Sequence, residues 1–134
     1  MSDIPVGARG TFELVVGPEH LANRFKDSML PEVLSTPVMI LVMENAALNA
    51  IKPFLSRGQT AVGTHVDVAH LAATPVGRKV TGEAVVTRVD GRQVEFDVRA
   101  LDGSQTIGAG RHRRAVIDLA RFNERLRAVV PAPQ

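Results

Sequence analysis

The chain has 134 residues, 45% hydrophobic and 22% charged, with 16 Lys and Arg against 14 Asp and Glu and a formal net charge of +2. That is the composition of one globular domain spanning residues 1–134, not of a disordered polyelectrolyte. The absence of cysteine excludes a disulfide framework, a thiolate metal site and a Cys nucleophile, and makes a reducing, cytoplasmic setting the expectation. Near-balanced charge and an aromatic content of 4%, all Phe, argue against a nucleic-acid partner. The longest apolar run, Val38 to Met43, falls far short of the ~18 residues of a membrane span, and the opening Met1-Ser-Asp-Ile-Pro lacks signal-peptide character.

In chain order, the pattern predicts a strand over Gly10 to Val16, then a short helix or lid-like loop over Pro18 to Phe25. Thr36 to Ile51 reads as a helix, with Thr36 as N-cap, Pro37 at the first helical position and Pro53 just past the end. Only Glu44, Asn45 and Asn49 are polar between Pro37 and Ile51, so this helix should be buried nearly all round. From residue 59 the period changes to two, giving strands over Thr60 to Leu71, Lys79 to Val89, Gln93 to Leu101 and Gln105 to Ile117. Asp90-Gly91 and Asp102-Gly103 mark hairpin turns, so the sheet is antiparallel. In the third of these strands Val94, Phe96, Val98 and Ala100 face the core, with Glu95, Asp97 and Arg99 opposite. A closing helix, Asp118 to Ala128, carries Leu119, Phe122 and Leu126 on one stripe and should pack on the rim. The tail at 130–134 is expected to be disordered.

A long apolar helix wrapped by a curved antiparallel sheet, in a chain too short to close a barrel, is the α+β hot-dog architecture. Such a sheet leaves an open edge, and edge-to-edge pairing into a homodimer, or a tetramer of two dimers, is the economical way to cover it.

Glu44 is the most informative residue for chemistry, because a carboxylate within a buried apolar helix must find partners or take up a proton. It is either a residue at an exposed seam or bonded to nearby backbone, or a general base or nucleophile with a raised pKa. His70 shares its strand parity with Thr64, Val66 and Val68 and so points inward, where it is either a satisfied core residue or the acid/base partner of Glu44. His65 and Asp67 have the opposite parity, which argues against a metal site shared by the two histidines. Thr36 is sufficiently explained as a cap. Eight residues separate it from Glu44, a rise of about 12 Å, so the two can share a site only through a long substrate or two subunits. In Gly110-Arg-His-Arg-Arg, alternation sends Arg111 and Arg113 one way and Arg114 the other; the cluster is a solvated strand face or a phosphate site. Gly63 marks a bulge or a close approach of backbone to a ligand.

Thr36-Pro37, the helix around Glu44-Asn45 and the run Val62-Gly-Thr-His-Val-Asp-Val-Ala-His70-Leu-Ala-Ala-Thr-Pro75 resemble the fluoroacetyl-CoA thioesterase-like family of hot-dog proteins. The likeness covers about Gly10 to Arg121. It implies an acyl-CoA thioesterase in which Thr36, Glu44 and His70 are the catalytic set, Gly63 holds the thioester carbonyl by its N–H, and Arg111, Arg113 or Arg114 meets the phosphates of coenzyme A. Coenzyme A is then part of the substrate and no further cofactor or metal is implied. The family's aromatic gating residues lie before the central helix; here Asn23-Arg-Phe-Lys-Asp-Ser-Met-Leu-Pro31 has Phe25 as its only aromatic, which implies an acyl group other than fluoroacetyl. A binding module for acyl-CoA or another small ligand, with Glu44 and His70 as a structural pair, is the alternative, and a hot-dog hydratase is a third reading. One fold carries several chemistries.

Overall fold

Alternating residues in the second half of the chain build four long strands in the computed structural model, which describes residues 3–129. They are β2 (Gln59–His70), β3 (Lys79–Asp90), β4 (Gln93–Asp102) and β5 (Gln105–Asp118), joined to a shorter β1 (Arg9–Val15). All pairings are antiparallel, and the order across the sheet is β1-β3-β4-β5-β2. Gly91 and Gly103 turn the hairpins at φ of +60° and +61°, a left-handed geometry that costs glycine nothing. In β4 the expected alternation holds, with Val94, Phe96, Val98 and Ala100 buried. The expected tail at 130–134 lies outside the described residues.

The central helix α2 covers Thr36–Ile51, between a single helical turn α1 (Ala22–Phe25) and a 3-10 turn at Lys52–Phe54 that contains Pro53. Its cap differs from the expectation. Ser35, extended at φ −70° and ψ 146°, is the N-cap, its carbonyl accepting the Met39 N–H at 3.1 Å; Thr36 and Pro37 form the first turn. Both Ser and Thr are good caps, and Pro is as comfortable one place further in, so the local sequence does not separate the two registers.

Small residues seat α2 on the sheet. A Cβ at Gly10 would run into the backbone of Ala46 and Ala50, and one at Gly82 into the Val42 carbonyl, so helix and sheet backbones touch where a side chain would hold them apart. The helix contacts all five strands. Five strands span about 19 Å at the usual spacing, whereas a helix is about 10–12 Å across, so the sheet must curl around it. This is the hot-dog arrangement.

Two expectations need correction. The helix is not enclosed on every side: Leu41 is 44% exposed, and Val66, on the α2 side of edge strand β2, is 39% exposed. One chain covers only part of α2, and the inner face of β2 beside it stays bare. The closing helix α3 (Leu119–Val129) is capped by Asp118, whose carboxylate accepts the Arg121 N–H at 3.0 Å. Its apolar stripe is not packed away; Leu119, Phe122 and Leu126 remain exposed, because the helix leaves the end of β5 with no second layer beneath it.

Candidate active site

With Ser35 as the cap, the hydroxyl of Thr36 is released from helix duty. It lies 2.8 Å from Nδ1 of His70, the last residue of β2. His70 reaches the helix side because its register partner is Gly108, whose missing Cβ makes room for Met39 and Met43 of α2. Burial pushes the His70 pKa down, and the Ala72 backbone offsets part of that. The ring is therefore neutral at neutral pH, able to accept the hydroxyl proton through Nδ1.

Glu44 lies on the same helix about 12 Å along its axis from Thr36, in a second cluster. A bulge between Gly63 and His65 inserts Thr64 as an unpaired residue, which lets Gly63, opposite Arg114, share the inner face with Val66, opposite His112. A Cβ on Gly63 would stand 2.8 Å from Oε2 of Glu44 and 3.3 Å from the His112 ring. Nη1 of Arg114 is 3.9 Å from the same carboxylate oxygen. Burial pulls the Arg114 pKa down while Glu44 holds it up. A carboxylate within an apolar helix must find a partner or take up a proton, and the partner here is a cation that is itself buried.

The arginine cluster splits as its parity predicts. Arg111 pairs in register with Asp67 and Asp97, and Arg113 with His65 and Glu95, on the sheet face away from α2. These two are exposed cations among carboxylates, with Arg113 Nε 3.9 Å from Glu95. Arg114 is on the other face, buried beside Glu44 and away from the solvent where phosphates would be met, so the three arginines cannot serve one ligand. Phe25 ends α1 and is exposed, in a segment tied down by the Leu21–Leu34 bridge and by the Ser35 N–H on the His20 carbonyl. Sequence reading treated His112 only as part of a basic run; its parity with Arg114 was the signal that places it inside. Among the described residues no three His, Asp or Glu side chains are grouped to hold a metal, and no helix is long and apolar enough to cross a membrane.

The structure thus brings Thr36 to His70, and Glu44 to Gly63, His112 and Arg114. A family model described as fluoroacetyl-CoA-specific thioesterase, FlK, matches residues 16–120. The chain belongs to this family. It is 41% identical over 132 residues to a fluoroacetyl-CoA thioesterase of Streptantibioticus cattleyicolor, with 95% of each chain covered. The solved structure of FlK superposes with a TM-score of 0.89 at 38% identity, covering 96% of this chain and 99% of that one. A Thermus thermophilus hypothetical protein, a thioesterase superfamily member, superposes with a TM-score of 0.88 at 31% identity, covering 96% and 95%. As an FlK-family member, the chain presents a hydroxyl hydrogen-bonded to an imidazole and a carboxylate beside a guanidinium, groups suited to acyl transfer.

Proposed function

We propose that this FlK-family chain is an acyl-CoA thioesterase that hydrolyses a small acyl-CoA thioester to the carboxylic acid and free coenzyme A. The observation that carries the reading is the 2.8 Å contact of Thr36 Oγ1 with His70 Nδ1, a hydroxyl held against a neutral imidazole. In the reaction, Glu44 attacks the thioester carbonyl or orients the water that does. Where water attacks, His70 takes up its proton during addition and returns it to the departing thiolate. Where Glu44 attacks, the thiolate leaves an acyl–Glu44 anhydride that water then cleaves, its proton passing through His70 to the thiolate. Thr36 positions the acyl group and the imidazole. The C–S bond breaks, and water supplies the oxygen of the new carboxyl group and the proton of the thiol. Gly63 offers its N–H to the carbonyl oxygen. With Phe25 the only aromatic between residues 22 and 35, the acyl group is one other than fluoroacetyl.

A cytoplasmic homodimer completes this reading. Thr36 and Glu44 are too far apart on α2 to meet one reacting carbonyl within a chain, so Thr36 and His70 of one copy work with Glu44 of the other. The free edge of β2, with the bare Val66 beside it and Leu41 on α2, supports pairing there.

The test is a panel of short, branched and aromatic acyl-CoA esters, followed by thiol release from wild type, Glu44→Ala and His70→Ala; the chain's lack of cysteine keeps the background low. Each substitution is expected to lower kcat/KM by about a hundredfold or more. Near-wild-type rates in both would overturn the assignment, and ester binding with no turnover by wild type would favour a binding module.

A further inference from the structure

His112 is the most buried titratable side chain among the described residues, 1% exposed, and the reaction above gives it no task. Both ring nitrogens are engaged. Nδ1 is 2.8 Å from the His65 carbonyl, which can only accept, so Nδ1 carries the proton. Nε2 is then a lone pair, and it accepts Nη1–H of Arg114 at 3.2 Å. The other guanidinium nitrogen, Nη2, donates to the Ala61 carbonyl at 2.7 Å. Phe96 stacks on the imidazole at 5.8 Å between ring centres, fixing its plane. The guanidinium is thus tied to β2 twice, directly at Ala61 and through His112 at His65, and these ties leave Nη1 facing Glu44.

From this geometry we propose that His112 is a positioning residue for thioester hydrolysis: as the Nδ1–H tautomer it holds Arg114 so that the guanidinium fixes the Glu44 carboxylate beside Gly63. An apolar side chain could fill the space there. Making both links takes a side chain that donates to the His65 carbonyl while an acceptor on its far side reaches the arginine, as the two ring nitrogens do. The charged or titratable groups facing the ring are Arg114 on β5, Glu44 on α2 and His65 on β2; from β4 it meets uncharged Phe96. A proton added at Nε2 would turn the acceptor into a donor pointed at a cation, and burial and Arg114 both oppose it, against the His65 backbone and Glu44.

The inference rests on Glu44 being a reacting group, and the experiment separates the two. Thiol release is measured for Glu44→Gln, His112→Leu, His112→Gln and the double variant Glu44→Gln/His112→Leu. His112→Leu is expected to lower kcat on the order of tenfold with a smaller change in KM, the coupling typical of one hydrogen-bonded network. His112→Gln, which restores an acceptor for Arg114, should recover most of that loss, and the double variant should be no slower than Glu44→Gln alone. If His112→Leu does not fold, His112→Asn keeps a donor for His65 while its Oδ1 ends short of the Nε2 position that meets Arg114, and the same loss is expected. Wild-type kcat in a folded Leu or Asn variant, or a full multiplicative loss on top of Glu44→Gln, overturns the proposal. Glu44→Gln at wild-type rate overturns instead the reading on which it rests.

Discussion

Gly63→Ala isolates the placement of the Glu44 carboxylate from every other property of the site. The added methyl would stand 2.8 Å from Oε2, so the carboxylate must retreat by roughly 0.6 Å to regain an ordinary van der Waals separation. The obstacle is the end of a flexible side chain, and the His112 ring at 3.3 Å needs to give by only a tenth or so of an ångström. The strand therefore accommodates alanine. Lower entropy of the unfolded chain contributes about 0.4–1 kcal/mol in its favour, offsetting the small repacking cost, and Tm should move by no more than a few degrees. Catalysis is less forgiving. A displacement approaching 1 Å in a reacting group costs about a hundredfold, so kcat should fall by roughly ten- to a hundredfold while the backbone N–H of residue 63 remains available. Thermal unfolding and steady-state thiol release on the same preparation give both numbers. A variant that folds as wild type and keeps wild-type kcat would refute the idea that Glu44 acts from where it lies against Gly63.

The remaining predictions concern pH and assembly. Because burial lowers the pKa of both His70 and His112, kcat/KM should stay level down to pH 6.5 and fall only below it; an acid limb centred at or above the ordinary value of about 6.5 would contradict the burial. The sign for stability is the same: the folded chain resists protons that the unfolded chain accepts, so stability is flat above about pH 6.5 and declines below it, a trend read from urea midpoints across that range. Val66→Lys puts a charge on the bare inner face of edge strand β2, where it should alter the single chain's stability by only about 0.5 kcal/mol. Light scattering should show monomer in place of dimer, with thiol release lost; a fully active dimer would show that copies do not join there.

The long elements were legible because each is specified locally. Between Pro37 and Ile51 only Glu44, Asn45 and Asn49 interrupt the apolar residues, with Pro53 closing the stretch, and β4 alternates strictly from Val94 to Ala100. Two failures came from details smaller than an element. Ser35 and Thr36 are chemically equivalent as caps, so only the folded chain reveals which backbone opens the helix and which hydroxyl meets His70. Gly63 announces a bulge as one of two readings, and the bulge is there at Thr64; strict alternation, which groups Thr64 with Val66, does not say that the extra residue brings Gly63 to the inner face instead. Partnerships between distant segments were the least legible. Glu44 identified itself as a residue in need of a partner, but that the partner is Arg114 depends on strand register and curl. The stripe on α3 says that something apolar belongs against it, and carries no information about where that surface is.

The seating of α2 on glycine gives it the mechanics of a lever. Its fulcrum is the stretch where Val42, Ala46 and Ala50 rest on Gly10 and Gly82, and Thr36 rides at the far end of the arm, about 15 Å from Ala46. A methyl group at Gly10 raises the fulcrum and swings the arm, opening the gap to His70 with no change to either residue. Positions on β1 that never approach a substrate therefore inherit the intolerance of the active site itself.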